Sequence, residues 1–175
     1  STMGMTFLLA VVTVVATEVS NLGLDRALRR MGGRVVRTAV GDKHVVEAMR
    51  KGGYVLGGES SGHTLLPESE LIGDGPLTAA RMLGVMAKSG KRLSELAKGL
   101  ELYPQITRNV RISRKPAIPS VPFLAKAIRD GSAALGKEGR LVVRYSGTEP
   151  LLRILAEGPE EKRLLAVVGE VEKAA

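Results

Sequence analysis

Hydrophobic residues along the first hundred positions recur with two different spacings, which alternate from segment to segment. Short runs rich in β-branched residues, typical of strands, alternate with segments in which apolar residues recur every three or four positions, typical of helices. The glycine pairs Gly32-Gly33 and Gly52-Gly53 end two of the helical segments. The strand-like segments are 11–17, 34–40 and 54–56, and the helix-like segments are 24–31, 42–51, 74–86 and 93–100. This alternation predicts βαβ units on a largely parallel sheet.

The pattern changes near Tyr103-Pro104. The elements expected after this point are a strand over 106–112, a helix over 120–135, strands over 141–143 and 151–156, and a last helix with apolar positions at 164, 167, 168 and 171. That order predicts a small α+β unit with an antiparallel sheet. We therefore expect an α/β domain with a βαβ-type mixed sheet over residues 1–103, and an α+β domain over residues 104–175.

Composition narrows the classes of partner. The chain has no cysteine and only two histidines, so a disulfide, a thiolate metal site and a histidine-rich metal site are all excluded. The formal charge of +8 favours anionic partners. Aromatic residues make up only 3% of the chain, and Phe7 and Phe123 are far from the basic clusters, so few side chains are available to stack on bases. We expect no nucleic-acid partner.

The apolar run from Met5 to Ala16 is too short to cross a bilayer. It also has neither a basic leader nor a small-residue cleavage site, as a secretion signal would. A buried strand approached by a short helical piece explains it better. We expect a soluble protein with no membrane partner.

A polar loop joins the two strands expected near the C-terminus. Residues 144–153 read Arg-Tyr-Ser-Gly-Thr-Glu-Pro-Leu-Leu-Arg, and Ser146-Gly147-Thr148 forms the tip. Glycine allows close approach of the backbone, hydroxyl and N–H groups donate hydrogen bonds, and the arginine forks at Arg144 and Arg153 suit phosphate oxygens. The loop therefore fits an anion cradle, and a polar hairpin turn with solvated arginines is the alternative.

A second polar loop, Gly57-Gly58-Glu59-Ser60-Ser61-Gly62-His63, follows the strand expected at 54–56. Ligand contacts in α/β sheets concentrate at such strand ends. A carboxylate at Glu59, a hydroxyl at Ser61 and an imidazole at His63 suit sugar hydroxyls, each of which donates and accepts. The alternative is a turn between strands with a structural histidine. The Gly-Lys-Ser/Thr ending of a phosphate P-loop is missing.

The two loops, in this order and about 80 residues apart, resemble the α-D-phosphohexomutase family. That family has a Gly-Glu-x-Ser-Gly-His sugar loop in its third domain and an Arg-x-Ser-Gly-Thr-Glu-Pro phosphate loop in its fourth. The resemblance runs from about Val14 to the C-terminus, and within the family it is greatest to the bacterial enzymes that act on glucosamine phosphates. Further segments that match are 19–24, 37–38, 40–42, 73–75 and 103–105.

The resemblance implies a role for each loop. Glu59 and Ser61 would bind sugar hydroxyls, and His63 would help to shape their loop. The residues that would hold the phosphate that is not transferred are Arg144, Ser146, Gly147, Thr148 and Arg153. The implied reaction moves a phosphoryl group between the 6- and 1-positions of a hexose phosphate, such as glucosamine 6-phosphate and 1-phosphate, through a phosphoserine, Mg²⁺ and a bisphosphate intermediate.

Two motifs of the family are missing from the sequence. Neither the Thr-Ala-Ser-His-Asn-Pro phosphoserine segment nor the Asp-Gly-Asp-x-Asp-Arg metal loop occurs, so we expect no catalytic and no metal-binding residue in this chain. The sequence therefore reads as the last two domains of a longer, cytoplasmic enzyme, inactive by themselves. A homodimer of the longer enzyme stays open, as do glucose- or mannose-phosphate specificity and a non-catalytic phosphosugar-binding module.

Overall fold

The computed structural model describes residues 12–175, which divide into two compact units. The first unit contains residues 12–17 and 25–99, and the second contains 18–24 and 100–175. A mixed sheet in the first unit and an antiparallel sheet in the second confirm the predicted fold class. The boundary after residue 103 stays a prediction. The early part of the apolar run, residues 5–11, lies outside the described residues.

The first unit is a four-stranded sheet with the order β2-β1-β3-β4. Its elements are β1 (Thr13–Thr17), α1 (Gly23–Arg30, which enters this unit at Asp25), β2 (Arg34–Thr38), α2 (Asp42–Gly52), β3 (Gly57–Gly58), β4 (Thr64–Leu65), α3 (Gly75–Ser89) and α4 (Leu93–Leu96). Strand β1 pairs in parallel with β2 and β3, and β4 is antiparallel to β3. The buried centre is small, with Val15 of β1, Val45 and Met49 of α2, and Leu65 of β4.

The third strand lies later than the sequence predicts. The prediction of a strand at 54–56 is wrong, because the strand pairing is at Gly57–Gly58 and only the Leu56 carbonyl joins it, accepting the Val15 N–H at 2.9 Å. Packing explains the difference. A Cβ atom at Gly57 would lie 2.5 Å from Met49 Sδ and 2.8 Å from Val45 Cγ1, so the backbone must pass there without a side chain.

Helix α3 is confirmed, with Asp74 at its N-cap accepting the Leu77 N–H at 2.8 Å. Its apolar positions, however, do not form a core face, since α3 buries no side chain and Met82 and Leu83 are exposed. No helix among residues 12–175, α3 included, combines the length and the apolar character needed to span a membrane.

The second unit is a three-stranded antiparallel sheet, with the order β5-β7-β6, that packs against two helices. Its elements are β5 (Gln105–Arg111), α5 (Pro122–Leu135), β6 (Arg140–Tyr145), β7 (Leu151–Glu157) and α6 (Glu161–Lys173). Alternate residues of the central strand, Leu152, Ile154 and Ala156, belong to the buried core with α5 and α6. The residues between them, Arg153 and Leu155, therefore point to the opposite face.

A fully buried carboxylate, that of Glu157, lies at the end of β7 on this opposite face. It forms an ion pair with Arg140 and accepts hydrogen bonds from Gln105 Nε2 at 3.0 Å and from the Leu22 N–H at 3.3 Å. Arg140 also donates to the Ser20 carbonyl at 2.7 Å. These bonds attach residues 18–24 to the second sheet.

Replacement of Glu157 by alanine should destabilise the second unit strongly. The change leaves the Arg140 guanidinium largely buried without its counter-charge, and breaking a buried pair in this way costs about 3–5 kcal/mol. Urea unfolding measures the loss. The matched control is Glu172→Ala, at an exposed position of α6, which should stay within about 0.5 kcal/mol of the parent. Equal effects of the two substitutions would contradict this account of Glu157.

Candidate functional site

The polar loop predicted at residues 57–63 includes a tight turn between β3 and β4. The Glu59 N–H donates to the His63 carbonyl at 3.0 Å, and the Gly62 N–H donates to the Glu59 carbonyl at 3.1 Å. Gly62 has a φ of +101°, which other residues rarely adopt. The turn, which we call the 59–63 turn, therefore brings together the predicted sugar-binding residues Glu59, Ser61 and His63.

The start of α2 holds this turn from outside. Glu59 accepts the Gly41 N–H at 2.7 Å through Oε1 and the Ser61 hydroxyl at 3.3 Å through Oε2. His63 Nδ1 lies 3.0 and 3.1 Å from the two carboxylate oxygens of Asp42. Sequence reasoning gave Gly41 only a motif match and predicted Asp42 as the cap of α2, which is wrong, because Gly41 is the N-cap and Asp42 the first helical residue. Their proximity in space to the turn carried no local signal.

One group of three carboxylate or imidazole side chains among residues 12–175 has a spacing suited to a metal ion: Asp42, Glu59 and His63. Their ligand atoms all lie within 4.8 Å of one another. They do not fit Mg²⁺, which prefers six oxygen ligands in near-octahedral geometry. One donor of the group is an imidazole nitrogen, and all three side chains already have hydrogen-bond partners in the turn or at α2. We assign no step of the chemistry to a metal here.

The polar loop predicted near the C-terminus connects β6 to β7 in the second unit. The Ser146 N–H donates to the Leu151 carbonyl at 2.9 Å, which closes the loop. The Ser146 side chain is buried, and its hydroxyl accepts the Glu149 N–H at 3.3 Å. Gly147 and Thr148 at the tip are exposed. We call residues 146–150 the phosphate loop, after the role predicted for it.

Arg144 and Arg153 lie directly opposite each other across β6 and β7. Both belong to the face of the sheet away from the helices, and they line a cavity of about 210 Å³. Like charges placed opposite one another on a sheet repel. Two carboxylates offset this repulsion, since Arg153 donates to Glu149 at 2.5 Å and Arg144 Nε lies 3.8 Å from Glu18 Oε1. The Arg153 Nε is buried and has no hydrogen-bond partner.

A further cation reaches the phosphate loop from the segment after β5. Lys115 Nζ donates to the Ser146 carbonyl at 2.6 Å. Sequence reasoning missed Lys115, because it lies 31 residues before its partner in a proline-rich connection with no periodic pattern. The loop is thus bordered by three cationic side chains, and their chemistry suits an anion with several oxygens, such as a phosphate ester.

Two family patterns together match nearly the whole chain. Residues 7–103 match the family described as "Phosphoglucomutase/phosphomannomutase, alpha/beta/alpha domain III". Residues 108–174 match the family described as "Phosphoglucomutase/phosphomannomutase, C-terminal domain". The first match contains the 59–63 turn, and the second contains the phosphate loop.

Two relatives that share about half of their aligned residues with this chain have the same name. The phosphoglucosamine mutase of Geotalea daltonii is 50% identical over 159 residues, which cover 91% of this chain and 35% of that relative. The phosphoglucosamine mutase of Citrifermentans bemidjiense is 54% identical over 149 residues, which cover 85% of this chain and 33% of that relative. The chain thus spans about a third of the length of these relatives.

Solved structures share the fold at lower identity. Aspergillus fumigatus N-acetylphosphoglucosamine mutase superposes with a TM-score of 0.76 at 19% identity, over 93% of this chain and 38% of that one. The complex of that enzyme with GlcNAc-6P and magnesium has a TM-score of 0.71 at 19% identity, with the same coverage. A phosphoglucomutase/phosphomannomutase family protein of Burkholderia thailandensis has a TM-score of 0.70 at 21% identity, over 94% of this chain and 37% of that one.

Replacement of Ser146 by alanine should loosen the phosphate loop. The change removes the acceptor for the Glu149 N–H, and the loss of such a bond costs about 1 kcal/mol. Hydrogen exchange of the Glu149 amide should accelerate about fivefold, as measured by NMR. Ser132→Ala, at an exposed position of α5, is the matched control and should leave that amide unchanged. Exchange at the parent rate in the Ser146 variant would show that the hydroxyl does not support the loop.

Proposed function

The chain belongs to the phosphoglucomutase/phosphomannomutase family, and we propose that it is the substrate-binding part of a phosphoglucosamine mutase, which interconverts glucosamine 6-phosphate and glucosamine 1-phosphate. The observation that carries the proposal is the Arg144–Arg153 pair beside the phosphate loop. The choice of glucosamine over glucose or mannose is supported by the name shared by the relatives at 50% and 54% identity.

In this proposal the phosphate loop binds the ester phosphate that is not being transferred. The Arg144 and Arg153 guanidiniums supply charge and several N–H donors. The exposed tip adds the backbone N–H groups of Gly147 and Thr148 and the Thr148 hydroxyl. Buried Ser146 supports the tip by accepting the Glu149 N–H and supplies its own hydroxyl proton. When the phosphate binds, its oxygens replace the carboxylates of Glu18 and Glu149 as partners of the arginines.

The 59–63 turn binds the hydroxyl groups of the sugar. The Glu59 carboxylate accepts hydrogen bonds from hydroxyls, and the Ser61 hydroxyl both donates and accepts. His63 contributes its imidazole to the same turn. Glu59 keeps its bond to the Gly41 N–H meanwhile, so its carboxylate is held in place before the sugar arrives.

The phosphate loop and the 59–63 turn each recognise one part of a hexose phosphate, but neither transfers its phosphoryl group. In the family reaction a phosphoserine donates the phosphoryl group, Mg²⁺ offsets the developing negative charge, and a hexose bisphosphate forms between the two transfers. We propose that further domains of a longer cytoplasmic enzyme supply the phosphoserine and the Mg²⁺ ligands. The family position supports this, since the matches here are to domain III and the C-terminal domain.

Loss of the arginine pair should abolish most of the affinity for a phosphorylated sugar. We expect Arg144→Ala with Arg153→Ala to weaken glucosamine 6-phosphate binding at least tenfold, because a hydrogen bond to a charged group contributes about 1.5–3 kcal/mol. Isothermal titration calorimetry measures the affinity.

The matched control for the arginine pair is Arg108→Ala, which removes an exposed arginine from β5 and should leave the affinity unchanged. Unphosphorylated glucosamine tests whether the affinity depends on the phosphate group of the ligand, and it should bind weakly to every variant. An unchanged affinity for glucosamine 6-phosphate in the double variant would refute the proposed role of the loop. Tighter binding of glucose or mannose 6-phosphate would refute the choice of sugar.

The purified 175-residue chain should not convert glucosamine 6-phosphate, because its sequence contains neither the phosphoserine segment nor the metal loop of the family. A coupled assay for glucosamine 1-phosphate, with added Mg²⁺ and glucosamine 1,6-bisphosphate, measures the rate. Product that accumulates in proportion to the concentration of the chain would contradict this expectation.

A further inference from the structure

Asp42 and His63 form a side-chain pair at the edge of the 59–63 turn. Asp42 is the first residue of α2, and both of its carboxylate oxygens lie within 3.1 Å of His63 Nδ1. An ionised carboxylate only accepts hydrogen bonds, so the imidazole nitrogen that faces it must carry a proton. In a neutral imidazole the other nitrogen, Nε2, then holds the lone pair and acts as an acceptor.

A second contact limits where the His63 ring can lie. A Cβ atom placed on Gly73 would lie 3.3 Å from His63 Cγ and Cδ2, so the backbone at Gly73 packs closely against the ring. Asp42 therefore fixes one nitrogen of the ring, and Gly73 limits its position from another direction. Half of the His63 side chain stays exposed to solvent, at 55%.

The other histidine of the chain has no such surroundings. His44 Nδ1 lies 3.7 Å from Glu47 Oε2, three residues further along the same helix, and both side chains are largely exposed. This is an ordinary pair on a helix surface, of small energetic value. The two histidines thus provide an internal comparison: both side chains are about half exposed, but only His63 has a carboxylate within hydrogen-bond distance of Nδ1.

We propose that Asp42 is a positioning residue for His63: it selects the Nδ1–H tautomer and so presents the Nε2 lone pair as a hydrogen-bond acceptor for a sugar hydroxyl. This inference rests on the proposed function, because it takes the 59–63 turn as the place where the sugar binds. Asp42 acts through His63 and does not itself touch the sugar. The Gly41 N–H, one residue earlier, holds Glu59, so residues 41–42 together orient two side chains of the turn.

The tautomer can be measured without a ligand. A long-range ¹H–¹⁵N NMR spectrum of the ¹⁵N-labelled chain, at an alkaline pH where imidazole is neutral, contains signals from only two histidine rings. We expect His63 to be protonated at Nδ1 in the parent chain and to shift toward the Nε2–H form in Asp42→Ala. Asp42→Asn should retain part of the parent signature, because its amide oxygen still accepts a hydrogen bond. Protonation of His63 at Nε2 in the parent, or an unchanged spectrum in Asp42→Ala, would overturn the inference.

Glu47→Ala is the matched control, since it removes a carboxylate beside His44 and should leave the His63 signals unchanged. His44→Ala assigns the remaining signals to His63. A change of the His63 tautomer in Glu47→Ala as large as in Asp42→Ala would count against a specific role of Asp42.

A titration with glucosamine 6-phosphate tests whether His63 Nε2 accepts a hydrogen bond from the sugar. Inorganic phosphate is the probe of the phosphate loop alone. We expect glucosamine 6-phosphate to shift the His63 Nε2 signal of the parent. Asp42→Ala should lower the affinity for glucosamine 6-phosphate about fivefold, because one lost hydrogen bond costs about 1 kcal/mol. The affinity for inorganic phosphate should stay unchanged. Unchanged phosphate binding also shows that the second unit of the variant is folded, and an unchanged His44 ring signal in the tautomer spectrum reports on the first unit.

The two proposals fail in different ways. If glucosamine 6-phosphate binds as tightly as before in Asp42→Ala, or binds the parent without moving the His63 signal, the role of Asp42 is overturned and the proposed function stands. If the parent binds neither glucosamine 6-phosphate nor inorganic phosphate, the proposed function fails, and the role of Asp42 in sugar binding fails with it.

Discussion

Antiparallel pairing in the second sheet places Arg144 directly opposite Arg153, and the proposed phosphate site depends on this register. Side chains alternate between the two faces of a strand, so a slip by one residue on either strand would turn one arginine toward α5 and α6. Burial opposes such a slip, because Leu152 and Ile154 would leave the core. The hydrophobic core thus fixes the placement of two charges on the opposite face, although it does not touch them.

The arginine pair also has a cost, which two carboxylates reduce. Two guanidiniums held opposite one another repel, and Glu149 and Glu18 offset this in the structure described here. A bound phosphate ester would do the same with more oxygens and better geometry. In the proposed function the 59–63 turn follows the same principle, since the Gly41 N–H and the Asp42 carboxylate already hold its side chains. In both loops the donors and acceptors are already oriented, and for the ligands proposed here such preorganisation lowers the entropy lost on binding.

Periodicity and turn chemistry predicted most of the fold, and their failures have physical causes. The alternation of strands and helices is confirmed, because burial of residues such as Val45 and Met49 has a repeating signature. The strand at Gly57–Gly58 was placed too early, since the close contact with α2 excludes side chains and so removes the β-branched signal. Both polar loops were located from their residues alone, but their roles in substrate binding stay predictions. Partners from other elements, such as Asp42 and Lys115, were missed because proximity in space leaves no pattern in a single sequence.

The network around Glu157 has a consequence for the order of folding during translation. The residues that bond to Leu22 and Ser20 follow them by 135 and 120 positions, so at about 5–20 residues per second the ribosome needs roughly 6–27 seconds to deliver them. All strands of the first unit have been synthesised by then, whereas the central strand of the second sheet, β7, is complete only at Glu157. In chain order the first unit is an insertion between two parts of the second, and the segment 18–24 waits for its partners Arg140 and Glu157 while residues 25–99 are synthesised.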